Sequence, residues 1–223
     1  MRSRTLIPLM LLVALVTSAS SASAAPQGHT WRLTPMAGWT QPSPQFRYPS
    51  DSLKAAPIFG GRLGYALNEN WQIEAGGAWA ALKEAARLER DVTYLNASGS
   101  LVYTPVTWRI GALSLAAGGG WQSWKATGES KDVHFGTFEQ AVGWTSWFND
   151  KAGLRLEARN VLSVPHTHFG DANQATQQYW GGLTFALGGK PRDTDGDGVP
   201  DKKDKCPGTP KGCTVDAKGC PVD

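Results

Sequence analysis

The chain has 223 residues, which is enough for one ordinary domain with additional segments at its ends. Its formal net charge of +3 is too small to indicate a nucleic-acid-binding surface, so no nucleic acid is expected as a partner. Beyond the N-terminal segment, no apolar run approaches the roughly 20 residues that a transmembrane helix needs. These properties exclude an inner-membrane helical protein, but they do not exclude membrane-spanning strands, whose alternating residues give little hydropathy signal.

The N-terminal residues 1–24 have the pattern of a secretion signal. Arg2 and Arg4 form a positively charged region, residues 6–16 an apolar region, and residues 22–24 a small-residue cleavage site. The apolar region is too short to span a bilayer as a helix. We therefore expect the chain to be exported, with cleavage after Ala24.

Most of the remaining chain, residues 25–189, has the pattern of β-strands. Apolar and polar residues alternate with a period of two, and glycine and aromatic residues are frequent. The sequence predicts eight strands, four of them regular and four less so, near residues 30–40, 59–67, 71–79, 94–103, 109–121, 138–148, 154–159 and 177–187.

The connections between these strands alternate strictly between long and short, beginning with a long one. Tight turns are predicted at residues 68–70, 104–107 and 149–151, and long polar loops at residues 41–56, 81–91, 122–136 and 163–175. An outer-membrane barrel entered from the periplasm has this rhythm, with long loops outside and short turns inside. We therefore predict an all-β fold, an eight-stranded antiparallel up-and-down transmembrane β-barrel followed by a short irregular Asp-rich tail.

Tryptophan spacing favours the same interpretation. Trp31 and Trp39 lie near the two ends of the first predicted strand, and Trp71 and Trp79 near the two ends of the third. On tilted strands, such pairs place one ring near each membrane interface, as in the aromatic girdles of outer-membrane barrels.

Several charged residues fall on the inward face of the predicted strands. Eight strands leave an interior barely wide enough for side chains, so charges of both signs are expected to pair there. We favour a packed salt-bridge core that closes the barrel over the alternative, a small gated or selective pore. The residues of this predicted network are Arg62, Glu74, Arg155, Glu157 and Arg159, with Glu139 as a further candidate.

The segment around residues 163–171 combines residue types found in hydrolytic sites, namely Ser163, His166, His168 and Asp171. Nucleophilic catalysis requires a base that a third group holds in place on a rigid scaffold. Here all three residue types crowd into one predicted loop that also contains Pro165. We therefore expect no enzymatic activity, and an outer-membrane lipid-modifying enzyme is the less favoured alternative.

The tail, residues 190–223, begins with an acidic pattern typical of a calcium loop. Gly198 stands at position 6, where such a loop turns sharply, and Val199 at position 7 offers a backbone carbonyl. No helix flanks the segment, which argues against an EF-hand. We predict a weak Ca²⁺ site that orders the tail. Carboxylates occupy positions 1, 3, 5, 9 and 12, at Asp193, Asp195, Asp197, Asp201 and Asp204.

All three cysteines, Cys206, Cys213 and Cys220, also lie in the tail. In an oxidising periplasm, one disulfide could join two of them, and the sequence leaves the pairing open. A zinc site is the rival interpretation, but no histidine lies nearby.

The acidic segment, with Cys206-Pro207 after it and Cys220-Pro221 further on, resembles a thrombospondin type 3 repeat. In bacteria, such repeats link an eight-stranded outer-membrane barrel to a peptidoglycan-binding domain, and the whole chain resembles the OmpA-like proteins. The last strand, with Gly182, Phe185 and Leu187, resembles the assembly signal of such barrels, although Trp180 departs from it.

The resemblance implies a structural, non-enzymatic role in envelope integrity and surface contact. It also implies a barrel in the outer membrane, a tail in the periplasm and a closed Glu–Arg network inside the barrel. The implied partners are outer-membrane lipid, lipopolysaccharide and the barrel-assembly machinery. The peptidoglycan-binding domain is absent from these residues, so peptidoglycan is expected as a partner only if such a domain follows them.

Overall fold

A computed structural model describes residues 29–44, 52–85, 90–108, 110–130, 132–164, 175–188, 193, 195–201, 203–210 and 212–222. The predicted secretion signal and the predicted loop residues His166, His168 and Asp171 lie outside the described residues. No helix among the described residues is long and apolar enough to cross a membrane.

The described chain forms a closed barrel in which each strand pairs antiparallel with its sequence neighbours and the first strand pairs with the last. Every strand therefore has a hydrogen-bonded partner on both sides, and no open edge remains. The predicted eight-stranded antiparallel fold is confirmed. The strands are β1 (Trp31–Pro42), β2 (Ala56–Ala66), β3 (Trp71–Lys83), β4 (Asp91–Trp108), β5 (Gly111–Ala126), β6 (Val133–Trp147), β7 (Ala152–Val164) and β8 (Ala175–Leu187).

Two of the predicted tight turns are present, and each is built around an asparagine side chain. Asn68 Oδ1 accepts the N–H groups of Asn70 and Trp71 between β2 and β3. Asn149 Oδ1 accepts the N–H groups of Lys151 and Ala152 between β6 and β7. These Asx turns reverse the chain within a few residues, which explains the short connections at this end of the barrel.

The third predicted tight turn, at residues 104–107, is wrong. Strand β4 continues through this segment to Trp108, and β5 begins at Gly111. The β4–β5 register shifts between Tyr103 and Val106, so Thr104 and Pro105 lie at a bulge. Proline is tolerated at a bulge because its missing N–H is not needed in the ladder there.

Two of the long connections are shorter than predicted, because the strands extend further at the loop end. Residues 84–90 join β3 to β4, and residues 127–132 join β5 to β6, in place of residues 81–91 and 122–136. The added strand residues include Leu82, Val92 and Phe135, which are buried in the barrel interior. Their burial against one another extends the strands into segments whose polar composition had indicated loops.

Candidate functional site

The centre of the barrel interior holds a network of buried ion pairs. Arg155 donates through Nη1 to Glu74 Oε1, and through Nη2 to Glu74 Oε2 at 3.1 Å and Glu157 Oε2 at 2.7 Å. Arg159 donates through Nε to Glu157 Oε1 at 2.7 Å and through Nη1 to Glu139 Oε2 at 2.5 Å. The structure brings together all six predicted residues, and we call them the interior charge network: Arg62, Glu74, Glu139, Arg155, Glu157 and Arg159.

Glu157 is the hub of this network. Its carboxylate contacts Arg155 and Arg159 through hydrogen bonds, and Arg62 Nη2 lies 3.5 Å from its Oε1. All four side chains are almost completely shielded from solvent. A carboxylate that faces three guanidinium groups compensates charges that would otherwise be buried without a counterion.

Glycines on neighbouring strands provide the space that the network needs. A Cβ at Gly76 would lie 2.2 Å from Arg62 Nη1, and a Cβ at Gly64 would lie 2.4 Å from Gln72 Nε2. Gln72 in turn donates to Glu74 at 2.5 Å. The glycines frequent in this sequence thus let long polar side chains lie across a narrow interior.

Arg32 is an interior residue that the sequence analysis did not single out. Its guanidinium carbon lies 5.5 Å from the centre of the Trp147 ring, a cation–π geometry. With Arg32 included, four arginines share the middle of the barrel with Glu74, Glu139 and Glu157. The sequence could have identified Arg32 as an interior residue, because it alternates with Trp31 and Leu33, which are exposed on the outward face.

Above the interior charge network, towards the loop end, the interior is filled by aromatic and apolar side chains. Tyr94 and Trp124 are fully buried, with ring centres 4.5 Å apart. Gln178 donates to the Tyr94 hydroxyl at 3.1 Å, and Trp180 Nε1 donates to Gln178 Oε1 at 3.1 Å. We call these four residues the aromatic plug. The Arg62 guanidinium carbon lies 5.6 Å from the Trp180 ring centre, so plug and network are in contact.

Ser163 lies inside the barrel, not in the predicted loop at residues 163–175. It is a residue of β7, opposite Thr137 of β6, and it is buried. Gln122 Nε2 donates to its hydroxyl oxygen at 2.6 Å. The prediction that Ser163 lies in a loop is wrong, because β7 continues to Val164. Alternate side chains of β7 point into the barrel, and Ser163 is one of them.

The tail residues Asp193, Asp195 and Asp197 bring carboxylate oxygens within 4.8 Å of one another. Asp193 accepts the N–H groups of Gly196 and Gly198, each at 2.8 Å, which wraps the loop around its side chain. Both glycines have positive φ, 77° and 93°, a conformation that favours glycine. The backbone therefore holds three carboxylates close together despite their repulsion.

The carboxylates of Asp197 and Asp204 also fit a cation site. Asp197 Oδ2 is buried and has no hydrogen-bond partner. A Cβ on Gly219 would lie 3.0 Å from this atom and 2.1 Å from Asp204 Oδ1, so both carboxylates point towards the same small space. Several carboxylate oxygens around one point are the donor set that Ca²⁺ prefers. Asp201 is exposed and Val199 half-buried, both outside the group of three.

Asp195 also ties the acidic loop to the rest of the tail. Asp195 Oδ2 accepts the N–H groups of Gly208 and Thr209, each at 2.8 Å. These hydrogen bonds, that from Gly208 first, lower the pKa of the Asp195 carboxyl below its usual value. The folded pKa therefore lies below the unfolded value. The contact contributes stability above the unfolded pKa, and this contribution is lost as the pH falls through the folded pKa.

The structure joins Cys206 to Cys220 by a disulfide bond and leaves Cys213 as an exposed free thiol. Near this bond, Thr209 Oγ1 contacts the carbonyl oxygens of Cys206 at 3.0 Å and Gly219 at 2.9 Å. The disulfide and Thr209 together hold the segment around Gly219 against the acidic loop. The described part of the tail contributes no residue to the buried apolar cluster, so these links replace core packing there.

The outward surface carries two belts of aromatic rings. At the turn end, Trp31 packs on Tyr65, and Trp71 packs on Tyr103, with ring centres 5.0 and 4.6 Å apart. At the loop end, the ring centres of Phe59 and Trp79 are 6.3 Å apart, and those of Trp121 and His134 are 5.2 Å apart. We call these the turn-side belt and the loop-side belt. Exposed apolar residues lie between them, as on a lipid-facing barrel surface.

Comparison with known proteins agrees with this surface. Residues 10–189 match the family model described as outer membrane protein beta-barrel domain. Neisserial surface protein A is similar with a TM-score of 0.55 and 13% sequence identity, over 72% of this chain and 99% of that one. No curated protein matches the sequence.

Two further solved structures have lower similarity. The N-terminal β-barrel domain of Pseudomonas aeruginosa OprF has a TM-score of 0.43 and 12% identity, over 72% of this chain and 99% of that one. Ail, the attachment invasion locus protein of Yersinia pestis, has a TM-score of 0.44 and 11% identity, over 74% of this chain and 100% of that one.

Proposed function

Because the chain belongs to the outer membrane protein beta-barrel family, we propose that it is a structural, non-enzymatic outer-membrane protein that supports envelope integrity and surface contact. Its outward apolar surface between the two belts faces lipid. In this proposal, the barrel contacts outer-membrane lipid and lipopolysaccharide and is inserted by the barrel-assembly machinery. The tail extends into the periplasm, where peptidoglycan is a partner only through a domain beyond these residues.

The interior charge network carries this proposal. Glu157 and its arginine partners lie across the middle of the barrel, and the aromatic plug lies directly above them. An ion that crossed the barrel would have to displace paired charges and then buried rings. Breaking a buried ion pair costs several kcal/mol, so this arrangement favours a closed barrel over a pore.

The position of Ser163 also supports a non-enzymatic role. A nucleophile must reach its substrate and needs an adjacent base. The Ser163 hydroxyl instead faces the interior and accepts a hydrogen bond from Gln122. We therefore favour a structural barrel over a lipid-modifying enzyme.

The first prediction is that the folded protein does not conduct ions. Full-length protein is incorporated into planar lipid bilayers, and single-channel current is recorded under an applied voltage. We expect no steps above the lipid-only baseline, since the interior charge network and the aromatic plug occupy the interior. Folding of the same sample is checked by a mobility shift between unheated and boiled samples in SDS electrophoresis. Discrete, reproducible current steps from shifted protein would contradict the closed barrel and favour the pore alternative.

We also propose that the tail binds Ca²⁺ weakly in the periplasm. Asp193, Asp195 and Asp197 would supply the first oxygens, and Asp204 is directed towards the same space as Asp197. The Val199 carbonyl and a water held by Asp201 would complete the set, as at the corresponding positions of other calcium loops. The bound ion would neutralise the mutual repulsion of the carboxylates and order the loop.

The second prediction concerns this site and uses calorimetric titration of the full-length protein with Ca²⁺. We expect a dissociation constant on the order of 10⁻⁴–10⁻³ M, the range of extracellular modules. Asp197→Asn should weaken binding by about tenfold or more, because it removes the charge of the carboxylate whose Oδ2 has no hydrogen-bond partner. The matched control is Asp216→Asn, whose carboxylate accepts the N–H groups of Lys218 and Cys220 outside the cluster. Equal effects of the two variants, or no binding by the native chain, would rule out the site.

A further inference from the structure

The outward surface between the two belts is apolar or glycine in the described strands, except at one place. On β6, Gln140 is exposed between Phe138 and Val142, which are also exposed. On the adjacent β7, Asn160 is the register partner of Gln140. Along β6, Gln140 lies between His134 of the loop-side belt and Trp144, whose ring stacks on Trp108 near the turn end. These two amides lie side by side on the outward face, and Gln177 of β8 lies next to Asn160 as a third.

Hydrocarbon cannot satisfy these amides. Asn160 Oδ1 is buried and has no hydrogen-bond partner. Its other register neighbour, Gln177 of β8, accepts a hydrogen bond from the Tyr179 hydroxyl at 3.2 Å. Transferring an amide from water into an apolar medium without a hydrogen-bond partner is unfavourable, and the cost is at least that of one lost hydrogen bond. Polar side chains of transmembrane helices form hydrogen bonds across helix–helix interfaces, and the same pairing is available where two barrels meet.

The outward surface around Gln140 and Asn160 contains a groove. A groove of about 680 Å³ runs over β5 to β8, where Ala117 and Ala158 leave space beside Gln140 and Asn160. A second groove of about 410 Å³ adjoins it and shares Val142, Ala158 and Tyr179 with it. Phe138 lines the first groove, and 45% of its surface is exposed. The patch therefore has both a recess and an exposed ring.

We propose that this patch is a dimer interface in the membrane, occupied by the same patch of a second copy of this chain. The exposed Gln140 amide carries both a donor and an acceptor, so the two Gln140 side chains related by a two-fold axis can satisfy one another. A rotation of the Asn160 side chain would bring its buried Oδ1 to the same interface. Copies inserted in one direction can share an axis along the membrane normal, which brings identical outward patches together. The exposed Phe138 of each copy would then fill the groove of the other. A lipid acyl chain could fill the groove, but it offers no hydrogen bond to the amides.

The third prediction tests this proposal by sedimentation equilibrium of the full-length chain in density-matched detergent. All samples carry Cys213→Ser, so that the exposed free thiol cannot link two copies covalently. We expect the parent to dimerise reversibly. The double variant Gln140→Leu/Asn160→Leu should raise the dimer dissociation constant by about tenfold or more, because each copy loses two amide contacts.

A control on the far side of the barrel is Ile73→Leu, an outward residue of β3, and it should leave the dissociation constant unchanged. Loss of folding is excluded by the mobility shift in SDS electrophoresis. The double variant should also unfold at a higher urea concentration than the parent when both are monomeric, since leucine replaces amides that face lipid. A parent that is monomeric at every concentration, or a double variant that dimerises as tightly as the parent, would overturn the proposal.

Discussion

Replacing Glu157 by leucine is expected to lower the free energy of unfolding by about 3–5 kcal/mol, the cost of removing one partner from a buried ion pair. Glu157 faces Arg155, Arg159 and Arg62, and all four side chains are almost fully buried. Without its carboxylate, three guanidinium groups share only the remaining glutamates of the network. The measurement is reversible urea unfolding in lipid vesicles, monitored by tryptophan fluorescence.

The matched control is Glu69→Gln, which removes a carboxylate from an exposed turn. We expect a change within about 0.5 kcal/mol there, as for most surface substitutions. The double variant Arg62→Met/Glu157→Leu should recover part of the lost stability, because it removes one of the uncompensated charges. A loss below about 1 kcal/mol for Glu157→Leu would mean that water enters the interior and screens the arginines.

The next largest effect is expected for Leu63→Arg, which should destabilise the barrel by about 2–4 kcal/mol if the residue lies near the bilayer midplane. Leu63 is 44% exposed on the outward face of β2, between Phe59 of the loop-side belt and Tyr65 of the turn-side belt. Its register partners, Leu33 and Ala75, also face outward. The charged group would therefore enter hydrocarbon, and the same urea unfolding in vesicles measures the cost.

Leu67→Arg provides the control for depth. Leu67 is also exposed, but it lies just after β2 ends, at the turn end of the barrel. There the cost of arginine should fall to about 0–1 kcal/mol, because the charge reaches the interface. Equal costs at Leu63 and Leu67 would show that the surface between the two belts does not face hydrocarbon.

Local patterns in the sequence were sufficient to predict the strands and the direction of their side chains. The period-two alternation around residues 59–67 and 71–79 places Leu63 and Trp71 outside and Arg62 and Glu74 inside, because successive side chains of a strand point to opposite faces. The turns at Asn68 and Asn149 were predictable for the same local reason, since an Asx turn depends on a few adjacent residues.

Strand ends were less predictable, because burial decides them. The prediction of a turn at residues 104–107 gave too much weight to Pro105, which a bulge accommodates within β4. Leu82 and Phe135 lie in segments predicted as polar loops, yet both are buried at the loop end of the barrel. Only the buried cluster that they form with residues of other strands, such as Trp124, explains why the strands continue.

The sequence by itself determined that the chain is an all-β barrel with inward charges and an acidic tail, because alternation, turn chemistry and carboxylate spacing are local properties. The tertiary structure decided which of these groups meet. Barrel closure brings Arg155 of β7 to Glu74 of β3, and strand register sets Gln140 beside Asn160. The folded tail pairs Cys206 with Cys220 and leaves Cys213 free. These contacts join residues far apart in the chain, and their geometry exists only once every strand has its partners.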